Sequence, residues 1–159
     1  MGILERQEPA FSEESLKFTR KILDQSGVGE ETSWPPSIMN FATKGVPMDE
    51  TLEAARRESE TVIFDCVRKL LKRTQTRAKD VDFLIINCSL FSPTPSLCSM
   101  VINEFGMRTD VGSYNLSGMG CSAGVISLEL AKNLLAGRPN SKALIVSTEN
   151  LTQALYHGN

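Results

Sequence analysis

The stretch Asn115-Leu116-Ser117-Gly118-Met119-Gly120-Cys121-Ser122-Ala123-Gly124 joins two segments of different character. Residues 111–116 read as a short strand and 122–136, largely apolar, as a buried helix. A chain that passes from strand to helix through glycines at 118 and 120 turns sharply, since glycine accepts backbone conformations closed to other residues. Such a strand–elbow–helix unit belongs to α/β architecture, and Cys121 stands where its helix begins. There the first-turn N–H groups lack intrahelical acceptors, and the helix dipole presents its positive end. Both favour the thiolate, the nucleophilic form of cysteine, so Cys121 is the candidate catalytic residue. Gly118, Gly120 and Gly124 are expected to leave room for a substrate to approach it. The pattern alone leaves open a small core cysteine without chemistry.

The rest of the chain supports the same class. Val81-Asp82-Phe83-Leu84-Ile85-Ile86-Asn87 is too continuously apolar for a sheet with one wet face and reads as a strand covered on both sides. Residues 143–147 form a further buried strand. After the break at Ser92-Pro93-Thr94-Pro95, residues 96–105 read as a short helix, and Gly137 with Pro139 ends the helix that follows Cys121. The strongest helical period runs over 49–73, where Leu52, Ala55, Val62, Ile63, Cys66, Val67, Leu70 and Leu71 make one apolar face. Its acidic start (Glu50, Glu53) and basic end (Lys69, Lys72, Arg73) suit the dipole. Alternation of strand and helix predicts an α/β fold with a mainly parallel sheet covered by helices and joined by right-handed crossovers. Ahead of it, 12–25 reads as an amphipathic helix capped by Ser12 and ended by Gly27 and Gly29. Trp34-Pro35-Pro36 marks 30–47 as irregular, pinned by Trp34 and Phe41. The expected division is 1–48, a helix and approach segment, and 49–159, the α/β part.

A formal net charge of −2 argues against a general nucleic-acid or anionic-membrane surface, and 41% hydrophobic residues suffice for one core. The cysteines at 66, 88, 98 and 121 include no Cys-x-x-Cys pair and no histidine at metal-ligand spacing, which excludes the usual zinc patterns. Without a signal-peptide pattern, no disulfides are expected. Cys66, on the helical stripe, and Cys88, at a strand end, read as core thiols. No apolar run approaches the roughly 20 residues of a membrane span. His157, the only histidine, lies near the end of the sequence and reads as solvated rather than as a base for Cys121. Glu149 and Asn150 follow the last strand, where ligands gather in α/β sheets, but read as groups satisfied by nearby backbone.

The segment Tyr114-Asn115-Leu116-Ser117-Gly118-Met119-Gly120-Cys121-Ser122-Ala123-Gly124 resembles the active-site elbow of plant 3-ketoacyl-CoA synthases, the condensing enzymes of very-long-chain fatty acid elongation. The likeness continues in Leu130-Ala131-Lys132-Asn133-Leu134-Leu135, Pro139-Asn140-Ser141 and Ala143-Leu144-Ile145-Val146-Ser147-Thr148-Glu149. Upstream it takes in Arg20-Lys21-Ile22-Leu23 and Ser26-Gly27-Val28-Gly29-Glu30-Glu31-Thr32. It implies a thiolase-like layered fold, of which this sequence is the N-terminal half, incomplete. It also implies an acyltransferase that extends an acyl-CoA by two carbons from malonyl-CoA, through an acyl group carried on Cys121. Of the family's Cys, His and Asn constellation only the cysteine transfers to this sequence; His157 does not match, and the other partners belong to a second half. A fragment inactive alone is therefore expected. No cofactor is implied beyond the two CoA thioesters. A homodimer or a heteromer with related synthases is implied, as is an endoplasmic reticulum membrane location through segments outside this sequence. The basic cluster of Lys69, Lys72, Arg73, Arg77 and Lys79 reads as a solvated helix end or, alternatively, as a contact for coenzyme A phosphates. A reading from another class also stands: a non-catalytic module that pairs with a full-length condensing enzyme through open sheet edges.

Overall fold

The computed structural model describes residues 11–29 and 31–155. They fall into two compact units, one comprising residues up to Glu50 with those from Thr152 onward, the other Thr51–Leu151. In the first unit Ser12 accepts the Ser15 N–H at 3.2 Å and starts α1 (Glu13–Gln25), as its N-cap chemistry requires. Helix α2 (Pro36–Lys44) corrects the expectation of irregular backbone over 30–47. Proline at the first turn starts a helix rather than breaking one, because no N–H is needed there. Gly45, at φ 67°, ends it and donates its N–H to the Phe41 carbonyl. Trp34 is 45% exposed and does not pin this stretch; Ile38 is its buried residue.

The second unit is built on a parallel three-stranded sheet in the order β2–β1–β3, with β1 at Phe83–Asn87, β2 at Gly112–Leu116 and β3 at Ala143–Ser147. All residues of β1 are buried, as its unbroken apolar run demands. Alternation divides them between two faces. Leu84 and Ile86 join a core cluster with Ala55, Ile63 and Val67 of α3 (Leu52–Thr74) and with Leu97 and Val101 of α4 (Leu97–Phe105). Asn87 reaches the other face, where α5 (Ser122–Leu135) lies. Each fully buried Leu or Ile of β1 contributes about 1.5–3 kcal/mol by leaving water.

Two helices bury less than their sequences suggest. In α3 the covered stripe is Ala55, Ser59, Ile63 and Val67, at four-residue spacing. Val62, Cys66 and Leu70 form the next row, are exposed, and line a shallow groove with Leu144 and Val146 of β3. Cys66 is therefore not a core thiol; the apolar face of α3 is wider than the surface that covers it. In α5 only Ala123, Ser127 and Ala131 are buried, small side chains that let the helix lie close to the sheet. Val125 and Leu128 are 71% and 63% exposed, so this helix is covered on one side rather than buried all round.

Close packing also explains one glycine. Gly112 pairs with Phe83 in the β1–β2 register, and a Cβ on it would sit 2.8 Å from Phe83 Cδ1. We expect Gly112→Val to destabilise the fold by about 1–3 kcal/mol through overpacking. Urea denaturation followed by circular dichroism should show the lowered midpoint, and adding Phe83→Leu should recover part of it.

Candidate active site at the carboxyl ends of the strands

Asn87, Leu116 and Ser147 stand level in the parallel register, so the loops leaving β1, β2 and β3 gather at one end of the sheet. From β2 the chain turns through Gly118 at φ 72° and Gly120 at φ 64°, then enters α5 with Cys121 at the N-cap position. Open space surrounds the missing Cβ of both glycines, so positive φ rather than crowding selects them. Gly124 differs from expectation. It is helical, and a Cβ there would meet only Ser147 Oγ at an ordinary 3.8 Å. The Cys121 side chain is exposed. Two of the first-turn donors expected to be free are in use: the Ala123 N–H donates to the Gly120 carbonyl (3.1 Å) and the Gly124 N–H to the Cys121 carbonyl (3.2 Å). What the elbow offers an anion is the helix dipole and the Cys121 N–H, which points opposite the Gly120 carbonyl in their shared planar peptide.

The other two loops brace this elbow. The Glu149 carboxylate, just past β3, accepts the Ser89 N–H on both oxygens (3.0 and 3.1 Å) and the Leu90 N–H at 2.8 Å. The Cys88 thiol donates to it as well, at 3.2 Å. Ser89 in turn donates its hydroxyl to the Gly120 carbonyl at 3.3 Å. Burial disfavours the charged carboxylate, but the N–H groups of Leu90 and Ser89, the Cys88 thiol and the Asn150 backbone outweigh it and hold Glu149 below the usual carboxylate range. Burial and the adjacent carboxylate push the Cys88 thiol up, and burial takes Cys98 to about 11. Cys88 and Cys98 are thus held as thiols, leaving Cys66 and Cys121 as the exposed cysteines.

Beneath the loops lies a buried polar hub. Asn87 donates its amide to Ser127 Oγ of α5 (2.9 Å) and to Ser147 Oγ of β3 (2.8 Å), while the Ser127 hydroxyl donates to the Ala123 carbonyl at 2.7 Å. Asn150 donates to the Ala55 carbonyl (2.9 Å) and Ser59 Oγ (3.1 Å), tying the β3 exit to α3. Sequence reasoning missed Asn87, Ser89, Ser127 and Ser147. The available signal was a polar residue where the pattern calls for an apolar one: Asn87 closing Phe83-Leu84-Ile85-Ile86, and Ser127 between Ala123 and Ala131.

Other candidates lie elsewhere. Lys72 and Arg73 end α3 and Arg77 pairs with Asp80 at 2.6 Å, all just before β1 begins. This is the amino end of the sheet, so the structure does not bring the basic cluster to Cys121, and Lys69 pairs with Asp65. His157 lies outside the described residues. Among the described residues no cluster of His, Cys, Asp and Glu has metal-site geometry, and no helix is long and apolar enough to cross a membrane.

Two outcomes are expected. Asn87→Ala should cost about 1–3 kcal/mol, since it strips a donor from the buried Ser127 hydroxyl and from the exposed Ser147 hydroxyl, and urea denaturation measures the loss. Glu149 has its folded pKa depressed, so its stabilisation is present above the unfolded value of about 4.3 and is lost as pH falls through the folded one. Thermal unfolding from pH 6 to pH 3 should therefore show a steeper acid decline in the wild-type chain than in Glu149→Gln.

The chain matches a family model described as FAE1/Type III polyketide synthase-like protein over residues 2–159. It is 53% identical over 145 residues to 3-ketoacyl-CoA synthase 6 of Arabidopsis thaliana, an alignment covering 91% of this chain and 28% of that protein. To 3-ketoacyl-CoA synthase 11 of the same plant it is 49% identical over 150 residues, covering 94% and 28%. It therefore spans little more than a quarter of the length of these relatives. The fold is similar to 1,3,6,8-tetrahydroxynaphthalene synthase of Streptomyces coelicolor (TM-score 0.71, 20% identity), over 99% of this chain and 45% of that one. It is similar as well to the C-terminal type III polyketide synthase domain of Steely1 from Dictyostelium (TM-score 0.70, 21% identity), again over 99% and 45%. These likenesses make the parallel sheet and its helices part of a thiolase-like α/β fold. With the family model matching almost from end to end, the chain belongs to the FAE1/type III polyketide synthase-like family.

Proposed function

We propose that this chain is the first part of a 3-ketoacyl-CoA synthase, with 1–48 as approach segment and 49–159 as the first thiolase-like half, and that Cys121 carries the acyl group. One observation carries this reading: the glycine elbow sets an exposed Cys121 at the start of α5, where the three strand-end loops gather. The Cys121 thiolate attacks the thioester carbonyl of a long-chain acyl-CoA. A carbon–sulfur bond forms to Cys121 as the bond to coenzyme A breaks, and the coenzyme A sulfur leaves with the electron pair and takes up a proton. The oxygen of the tetrahedral intermediate carries negative charge, and the Cys121 N–H is one donor to it. Malonyl-CoA then loses carbon dioxide, and its enolate carbon attacks the acyl-cysteine. Cys121 leaves as thiolate, and the product is a 3-oxoacyl-CoA two carbons longer. The resemblance assigns the donors for decarboxylation to a His and an Asn that match no position of this sequence.

The reading calls for no cofactor besides the CoA thioesters. Pairing with a second synthase copy is supported by β2 and β3, which are the outer strands of the sheet among the described residues. The endoplasmic reticulum membrane as the location of the complete protein rests on the family alone.

Incubation of the purified chain with excess long-chain acyl-CoA, followed by intact mass and peptide mapping, tests the proposal. We expect a thioester adduct on Cys121 that is absent from Cys121→Ala, with exposed Cys66 as the internal control. A folded chain without an adduct, or an adduct of equal yield in the alanine variant, overturns it. A folded, unreactive chain that co-purifies with a full-length synthase favours the interaction module instead.

A further inference from the structure

We infer that Glu149 is a positioning residue for acyl transfer to Cys121, acting through Ser89; the inference rests on the acyl-cysteine reading above. Glu149 is not placed to act as a base. Both its oxygens are occupied by backbone N–H donors, Ser89 on each and Leu90 on one, with the Cys88 thiol on the same side. Four short donor contacts on one carboxylate fix the loop at 88–90, and that loop presents the Ser89 hydroxyl to the Gly120 carbonyl. The carbonyl and the Cys121 N–H belong to a single planar trans peptide and point in opposite directions. Holding the oxygen therefore aims the N–H. The Ala123 N–H also donates to the Gly120 carbonyl, but it comes from the helix itself; Ser89 is the contact that ties the peptide to the sheet. At 3.3 Å the Ser89 contact is long for a hydroxyl donor, so it is the link most easily lost when the loop relaxes.

This geometry makes a distinction that a merely structural role would not. Acyl transfer passes through an oxyanion and depends on where the Cys121 N–H points. Alkylation by iodoacetamide displaces iodide from a saturated carbon and forms no oxyanion, so it reports the thiol alone. Glu149→Gln replaces one oxygen by an NH2 group facing N–H donors, loosening the loop at nearly constant side-chain size. Ser89→Ala removes the hydroxyl but leaves the N–H contacts of the carboxylate intact.

The test measures two rates at Cys121 in the whole chain, acylation by long-chain acyl-CoA and alkylation by iodoacetamide, both by peptide mass. Glu149→Gln and Ser89→Ala should each slow acylation by about tenfold or more while alkylation changes by less than about twofold. The double variant should be no slower than Glu149→Gln alone, because both act through one contact. Ser89→Thr, which keeps a hydroxyl, should retain acylation. Wild-type acylation in either single variant, or equal losses of acylation and alkylation, overturns the inference while leaving the acyl-cysteine reading in place. A wild-type chain that takes up no acyl group overturns that reading, and the inference with it. If Glu149→Gln does not fold by circular dichroism, the comparison of Ser89→Ala with Ser89→Thr decides.

Discussion

β1 is paired on both edges and covered on both faces, and such a strand has no wet side to fix its register. Polar groups at its two ends supply that constraint. At the start, the Asp82 carboxylate accepts the Lys142 N–H at 2.8 Å and meets Arg108 at 3.2 Å, so the strand is held against the segments entering β3 and β2. At the finish, Asn87 donates to Ser127 and Ser147. A slip of one residue would put the Asn87 amide among Leu84, Ile86 and the α3 side chains, where an unpaired amide costs about 1–3 kcal/mol. The same slip would leave the buried Ser127 hydroxyl and the exposed Ser147 hydroxyl without their donor. Register at β1 decides where 88–90 begins, and 88–90 decides what holds the elbow.

How much of this could be read in the sequence follows from how local each determinant is. The strand of β3 and the boundaries of α1, α4 and α5 were legible to within a residue or so, because Ser12, Ser96, Gly106 and Gly137 act on their own neighbours. The elbow was legible for the same reason, since two positive-φ glycines and a helix start need no distant partner. Helix α2 is less legible, because Pro35-Pro36 has the same form whether it breaks a chain or opens a first helical turn. Burial in α3 and α5 falls short of what their apolar patterns suggest. Periodicity shows which residues share a face, but not how much of that face a neighbour covers. Cys66 and Val62 lie on the same apolar stripe as Ile63 and Val67, yet only the latter pair meets the core.

The bracing of Cys121 belongs to the non-local class. Ser89 and Glu149 are 60 residues apart, and Ser89 and Gly120 are 31 apart. A carboxylate after a strand is an ordinary feature of a sequence. Only the parallel register, which sets the ends of β1, β2 and β3 level, makes it the acceptor for another loop's backbone. The sequence therefore points to the candidate cysteine, while the contacts that support it emerge from topology.

Reactivity and exclusion of water are different requirements, and the described residues meet them unequally. The elbow supplies an exposed thiol, the Cys121 N–H and a helix dipole through local backbone geometry and a few hydrogen bonds. Protecting a thioester from water needs apolar cover over the sulfur and the acyl chain. Cys121 is exposed, and one turn along α5 Val125 is exposed too, with Leu128 beyond it and Met119 beside the cysteine. In water these side chains are a cost, since apolar area left wet contributes nothing to folding. Any apolar group packed along this side of α5 would remove the same surface from water. The small-residue stripe of α5 thus serves the sheet, and its large apolar residues stay exposed on the side that the sheet does not cover.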